Sequence, residues 1–315
     1  MILARTDDGI RFVTQSDHAA LAGRLAEQWG GAGFAPPEPT AAVRLAVHAH
    51  DDGWWTHDRR PRLRADGSPQ DFHELPPSRW TRLYRRGIDG VARTDRYAGL
   101  LVSVHGSGLR RRRYGLSPSW GETPRSFRGF VEREERRQRS LATALRADPD
   151  DDRLTPADVA VLTALHDDGR APADLAAESR LWRNYRLLSA LDALSLRICA
   201  TAGTEDTLPE PITVDRVPTE PGNDDATLTA APVGPGAYRI DPYPFRDVPV
   251  TVNVPARTVE ETTFPDEETL LARYYGSDVA ELAVTLRPAD GTDRGLEGDA
   301  DGTDRERDDD APTRR

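Results

Sequence analysis

The chain of 315 residues has no lysine; all 42 of its basic residues are arginine. It has one cysteine, Cys199, and one methionine. A single cysteine excludes an internal disulfide and a cysteine-ligated zinc site. Cys199 falls on the apolar side of a helical pattern and reads as a core residue. No run of about 18 apolar residues exists, so a membrane-spanning helix is not expected. The N-terminus has neither the basic nor the apolar region of a signal peptide. The chain shows no nucleotide-binding glycine loop and no nucleophile motif. The expectation is a soluble, cytoplasmic protein.

The chain is instead rich in acid: 53 Asp and Glu give a formal net charge of -11. Such a balance argues against nucleic acid as the main partner. An acidic, lysine-free surface suits a halophilic cytosol, where the Debye length shrinks to about 3 Å at 1 M salt and carboxylate repulsion is screened. A GC-rich coding sequence produces the same arginine bias. The length permits one large core or two smaller ones.

Capping residues, glycines and prolines divide the first two thirds into helices. These are expected over 17–29 (capped by Ser16), 40–51 (stopped by Gly53), 78–91, 94–105, 124–147 and 155–166, with one or two long helices over 173–202. His166 would end its helix, where positive charge is favoured. One short strand is expected around 11–13. After Gly203 the composition turns to Pro, Thr and Val, with short alternating runs at 212–214, 226–229, 238–240, 248–254 and 282–286. These read as antiparallel strands, with a small helix over 267–275 between them. From about 289 the chain is almost free of apolar residues and reads as a disordered acidic tail. The expected architecture is mainly α: a helical bundle domain over 1–203, a β-rich extension packed on it over 204–288, and a tail over 289–315.

Within the helical stripes, metal-capable side chains stand where apolar ones belong. His18 heads the stripe Leu21, Ala22, Leu25, Trp29; His50 and Asp51 follow Val43 and Val47; His105 follows Leu101; Asp192 follows Leu181, Tyr185 and Leu188. A buried ionisable group is costly unless it is paired or bound to a metal. Each one alone reads as a satisfied core histidine or a paired Asp. Together, on separate inward-facing stripes, they read as ligands of one divalent ion, with zinc, manganese, iron or magnesium all compatible with imidazole and carboxylate. Trp54 and Trp55 read as core or lid aromatics, or as the apolar wall of a pocket. The arginine run 110–113 reads either as a solvated turn or as a receptor for a small anionic substrate.

The segments DHAALAGRLAEQWG at 17–30, HDDGWW at 50–55, YAGLLVSVHGSGL at 97–109, LLSALDALSLRIC at 187–199 and DPYPF at 241–245 resemble an uncharacterised family, domain of unknown function 3891. The order His, His-Asp, Asp also resembles the HD-domain superfamily of metal-dependent phosphohydrolases. That resemblance implies an HD-like helical bundle. It implies His18, His50, Asp51 and Asp192 as ligands of a first metal and His105 as ligand of a second. It further implies attack of water on a small phosphate ester or nucleotide, with Asp51 as general base and Arg24, Arg110 or Arg111, beside Trp54, contacting substrate. An HD-like di-iron oxygenase and a non-catalytic protein binding a metal or small ligand remain the alternatives.

Overall fold

The computed structural model describes residues 1–201 and 208–289. The expected boundary at Gly203 and the acidic tail from 290 lie outside them. The chain opens with a hairpin, β1 (Ile2–Thr6) and β2 (Gly9–Val13), in register Ile2 to Val13. Helices α1 (Gln15–Gln28), α2 (Thr40–Ala49), the single turn α3 (Trp55–Asp58), α4 (Pro77–Thr94), α5 (Arg96–Gly108) and α6 (Arg125–Arg146) follow. Then come α7 (Pro156–Asp167), the short α8 (Ala173–Glu178) and α9 (Arg180–Ala200). The last part holds β3 (Ile212–Val217), β4 (Ala226–Gly234), β5 (Ala237–Asp241), β6 (Val250–Val259), α10 (Glu267–Gly276) and β7 (Val279–Pro288). No helix among the described residues is long and apolar enough to cross a membrane.

Cap chemistry sets several ends. Thr14, not Ser16, caps α1: its backbone is extended and its hydroxyl accepts from the Asp17 N–H, satisfying a donor that the first turn leaves open. Thr155 and Asp158 form a reciprocal capping box on α7, with Pro156 at the first helical position. The DPYPF segment is structural. The Pro244 carbonyl accepts from the N–H groups of Gly30 and Gly31 at 3.1 and 2.9 Å, docking the sheet onto the end of α1.

The expectation of a mainly α, HD-like bundle with a small β extension is overturned. A seven-stranded mixed sheet, in the order β1-β2-β6-β7-β5-β4-β3, curls through the molecule alongside the helices. The pairs are antiparallel except for the parallel β5–β7 pair. The two ends of the chain share this sheet, because β2 pairs with β6 from Ile10–Val259 to Phe12–Arg257. Local alternation gives no sign of a partner so distant, and register is set only when the strands meet. Strands β3 and β6 run past their expected ends to buried Val217 and Val259.

One face of the sheet is dry. Val250, Val252, Val254 and Ala256 of β6 are buried, while Thr251 and Asn253 between them are exposed. Helices α1 and α9 lie against the strands: Arg24 donates to the Asn253 carbonyl on β6 and Arg197 to the Thr213 carbonyl on β3. At the centre is α5, buried at every residue from Tyr97 to Gly108, as a helix apolar on all sides must be. Its glycines permit the close approach: a Cβ on Gly99 would stand 2.4 Å from the Ala92 Cα on α4.

His166 departs from the expected helix-end cation. Its Nε2 hydrogen-bonds Gln138 Oε1 at 2.8 Å and its Nδ1 accepts from Arg139 at 2.9 Å, an arrangement that requires the neutral ring. Burial, then Arg139 and Arg111, lower its pKa from 6.5 to about 4. Between those values the unfolded chain binds the extra proton, so stability falls as pH falls through that window. His57, lowered to about 4 mainly by burial, acts the same way. In denaturant titrations from pH 7 to pH 4, His166→Gln is expected to reduce the slope of stability against pH without abolishing it.

Candidate metal centre

The cluster forms where α1, α2, α5 and α9 meet. His18 stands in the first turn of α1, and His105 in the last turn of α5. Asp192 lies midway along α9, with Ser195 one turn further on. His50 is the C-cap of α2, and at Asp51 the backbone leaves helical geometry (φ -114°, ψ 15°). Adjacent residues within a helix diverge; here the helix has just ended, so both side chains turn to the same point. Gly53 makes that turn possible through close approach. A Cβ there would lie 2.0 Å from the Leu83 carbonyl oxygen and 2.9 Å from the Gly87 nitrogen, both on α4.

His18, His50, Asp51, His105 and Asp192 are all buried, the most exposed being Asp192 at 6%. His18 Nε2 lies 3.2 Å from Asp51 Oδ2, and its Nδ1 lies 3.1 Å from Ser195 Oγ. The Ser195 hydroxyl donates to the Asp192 carbonyl, so its oxygen accepts the His18 Nδ1–H. The His50 Nδ1–H donates to the Val47 carbonyl at 2.7 Å. His50 Nε2 then faces Asp192 Oδ1 at 3.4 Å and Asp51 Oδ2 at 3.9 Å. In both histidines the outer nitrogen is pinned as a donor, leaving the inner lone pair aimed at carboxylates. Lone pair against carboxylate is repulsive unless positive charge lies between them.

Ligand atoms of His18, His50 and Asp192 lie within 4.8 Å of one another, so this buried group could hold a metal ion. Two ligands on one tetrahedral ion, each bonded at about 2.1 Å, stand about 3.4 Å apart, close to the observed 3.2 and 3.4 Å separations. His50 Nε2, Asp51 Oδ1 and His105 Nε2 are buried without a hydrogen-bond partner. His105 Nε2 lies 3.8 Å from Asp192 Oδ2. The donor set therefore fits a divalent ion, with outer-nitrogen hydrogen bonds of the kind that orient metal-bound histidines.

Without an ion, a proton on His50 supplies the positive charge. Burial opposes charge on His50, but Asp51 and Asp192 overcome it and raise its pKa to about 9. Burial would also raise the pKa of both carboxyls, yet His50 with His18 holds Asp51 below the usual range, and His50, His105 and Arg113 hold Asp192 there. His105 is lowered to about 3, chiefly by burial, and stays neutral. The Tyr84 hydroxyl stands beside Asp51; burial and then Asp51 push its pKa well up, keeping it protonated.

The arginines divide. Arg113 reaches the cluster: its Nη2 donates to Asp192 Oδ2 at 3.0 Å. It gets there from three consecutive left-handed residues, Arg112, Arg113 and Tyr114 (φ 52°, 48° and 53°), a conformation costing roughly 1–2 kcal/mol per non-glycine residue. Arg110 instead stacks on Trp80 and Phe127, 3.9 and 4.0 Å from their ring centres. Arg111 turns to Glu135 and the Leu165 and His166 carbonyls, and Arg24 to the sheet. Trp54 is buried, edge-on to Tyr84 at 6.1 Å, while Trp55 is exposed. Tyr84, Ser195 and Arg113 are the residues around the cluster that periodicity does not single out. Tyr84 belongs to the ordinary apolar stripe Trp80, Tyr84, Ile88, Val91, and no sequence signal marks three non-glycine left-handed residues ahead of Gly115.

With this geometry in place, the comparisons are clear on family and silent on chemistry. The profile of the family described as Protein of unknown function (DUF3891) matches residues 1–261, and the chain belongs to that family. No curated protein and no solved structure matches it.

Because the His50–Asp51 turn rests on α4 through Gly53, overpacking there should be felt at once. Gly53→Ala is expected to lower unfolding free energy by about 1–3 kcal/mol in chemical denaturation. Alanine at exposed Gly129, where a Cβ meets nothing within 4 Å, is expected not to destabilise.

Proposed function

We propose that His18, His50, Asp51 and Asp192 hold a divalent metal ion and that the protein hydrolyses a small phosphate ester or nucleotide by attack of water on phosphorus. The observation that carries this reading is the pair of imidazoles whose outer nitrogens are fixed by Ser195 and Val47 while their inner nitrogens confront Asp51 and Asp192. The ligand order His, His-Asp, Asp, which resembles that of HD-domain phosphohydrolases, supports it. When bound, the ion would lower the pKa of a water molecule and polarise a phosphoryl oxygen.

The chain's own groups do the rest. Asp51 Oδ2 is engaged by His18, whereas its Oδ1 has no partner and is the atom placed to take a proton from the attacking water. The Tyr84 hydroxyl, held neutral, can donate to Asp51 and fix its orientation. The surrounding core excludes other water, which strengthens every charge interaction inside.

One observation favours a second reading. Asp192 presents Oδ1 to His50 and Oδ2 to His105, whose Nε2 is unpartnered. With Arg113 displaced from Oδ2, Asp192 and His105 could help hold a second ion, as a di-iron oxygenase would need.

Elemental analysis of the purified full chain separates these readings. One divalent ion per chain is expected, and two irons would favour the oxygenase. His50→Ala is expected to weaken metal binding at least 100-fold, and exposed His73→Ala not at all. Against a panel of small phosphate esters, Asp51→Asn is expected to lower kcat by about 10²–10⁴-fold, the usual worth of a general base. A His50→Ala/Asp51→Ala double variant that kept its metal and its turnover would sink the hydrolase reading. Tight metal binding without turnover of any ester would leave a binding role.

A further inference from the structure

Beside the cluster lies a pocket of about 180 Å³ between α9, the segment 113–120 and strand β3. Four arginines line it, Arg113, Arg186, Arg197 and Arg216, against one acid, Asp215. In a chain of net charge -11 this is a local reversal of sign. Asp192 and Asp225 pair with Arg113 and Arg186, which leaves Arg197 and Arg216 against Asp215. Arg197 donates to the Thr213 carbonyl, a neutral group, and Arg113 spends one nitrogen on the Ser189 carbonyl. Arg186 is paired with Asp225, outside the pocket.

Two further features point to a ligand. Ser189 lines the pocket, is only 4% exposed, and its hydroxyl has no hydrogen-bond partner. The Tyr185 hydroxyl nearby is close enough to interact with it, yet also makes no hydrogen bond of ordinary geometry. Two facing hydroxyls can satisfy only one O–H between them, so one is left in need of an acceptor. Arg113 joins the two sites, since it lines the pocket and holds Asp192. Once a cation shares the charge of Asp192, Arg113 loses its counter-ion and is free to serve another anion.

We propose that this pocket binds the phosphate group of the substrate, with Arg113, Arg197 and the Ser189 hydroxyl as its receptors and Arg113 exchanging Asp192 for the phosphate. The proposal rests on the hydrolase reading and narrows it. The substrate is a phosphorylated metabolite small enough for this volume, entering along α9 and presenting its phosphate beside Asp192. Arginine suits the role because its planar fork meets two phosphate oxygens at once. Arg110 and Arg111, the neighbours in the same run, are committed to aromatic stacking and to Glu135 and take no part.

The test is calorimetric titration of inorganic phosphate into the full chain, metal-loaded and metal-free, with thermal melts confirming that each variant is folded. Wild-type protein is expected to bind phosphate at millimolar concentration or below, more tightly when metal-loaded. Arg113→Asn, which suits the left-handed backbone, is expected to weaken phosphate binding at least tenfold, with metal content measured in the same samples. Arg197→Met, which removes a cation that makes no contact with the cluster, and the small change Ser189→Ala are each expected to weaken it severalfold. Phosphate binding unchanged in all three variants would put the anion on the metal alone and overturn the proposal. So would metal-loaded wild type with no phosphate binding, an outcome that leaves the metal reading standing. Arginine-dependent phosphate binding by a chain that takes up no metal would uphold the pocket and remove the hydrolase reading.

Discussion

Two carboxylates buried against two imidazoles in a space without solvent require a positive charge among them, carried by a proton on His50 or by a metal ion. Asp51 and Asp192 are each at least 94% buried by the exposures of 4% and 6%, so water cannot screen them. A buried pair gains stability only when geometry and hydrogen bonds are complete, and here His50 Nε2 and Asp51 Oδ1 are left without partners. The surrounding structure is organised to keep this disposition. Ser195 and Val47 fix the ring orientations, Gly53 allows the turn after α2 to rest on α4, and the wholly buried α5 brings His105 up from below. Such cost is retained where charge has work to perform, whether the partner is a proton or a metal.

The helical half of the molecule was readable because each helix announces itself within its own residues. Thr155 with Pro156 and Asp158 and the apolar spacing of α1 are local signals. The cluster was readable for the same reason: one polar residue breaking an apolar stripe is visible without knowledge of its neighbours, and the structure brings His18, His50, Asp51, His105 and Asp192 to one place. What periodicity could not supply was anything depending on distant pairing. β1 and β2 belong to a sheet completed by β6, and the short alternating pattern of β2 carries no mark of that partner. The expectation of a bundle with a β appendage failed on that point. The arginine run 110–113 stood out, but which member reaches the cluster did not, because Arg113 is placed by backbone geometry that its residue types disfavour; Tyr84 escaped because a tyrosine on a core stripe is ordinary packing.

Arginine has divided labour in this chain. Without lysine, every cation is a planar guanidinium that can stack, fork and cap carbonyls. Arg110 covers Trp80 and Phe127, Arg24 and Arg197 tie helices to the sheet, and Arg113 reaches Asp192 in the cluster. A run of four identical residues thus contributes side chains to separate environments, because the left-handed turn fans them apart.

The pairing of the opening hairpin with β6 also bears on how the molecule is made. A ribosome releases β2 long before β6 exists, so the hairpin waits as an unpaired edge while the helices are synthesised. Long-range pairing of this kind slows folding, because loop closure must precede the contacts that reward it. Until β6 emerges, the apolar sides of α1 and α9 that will cover the sheet stay without their cover. Exposed apolar surface of this kind is what makes partly folded chains prone to association.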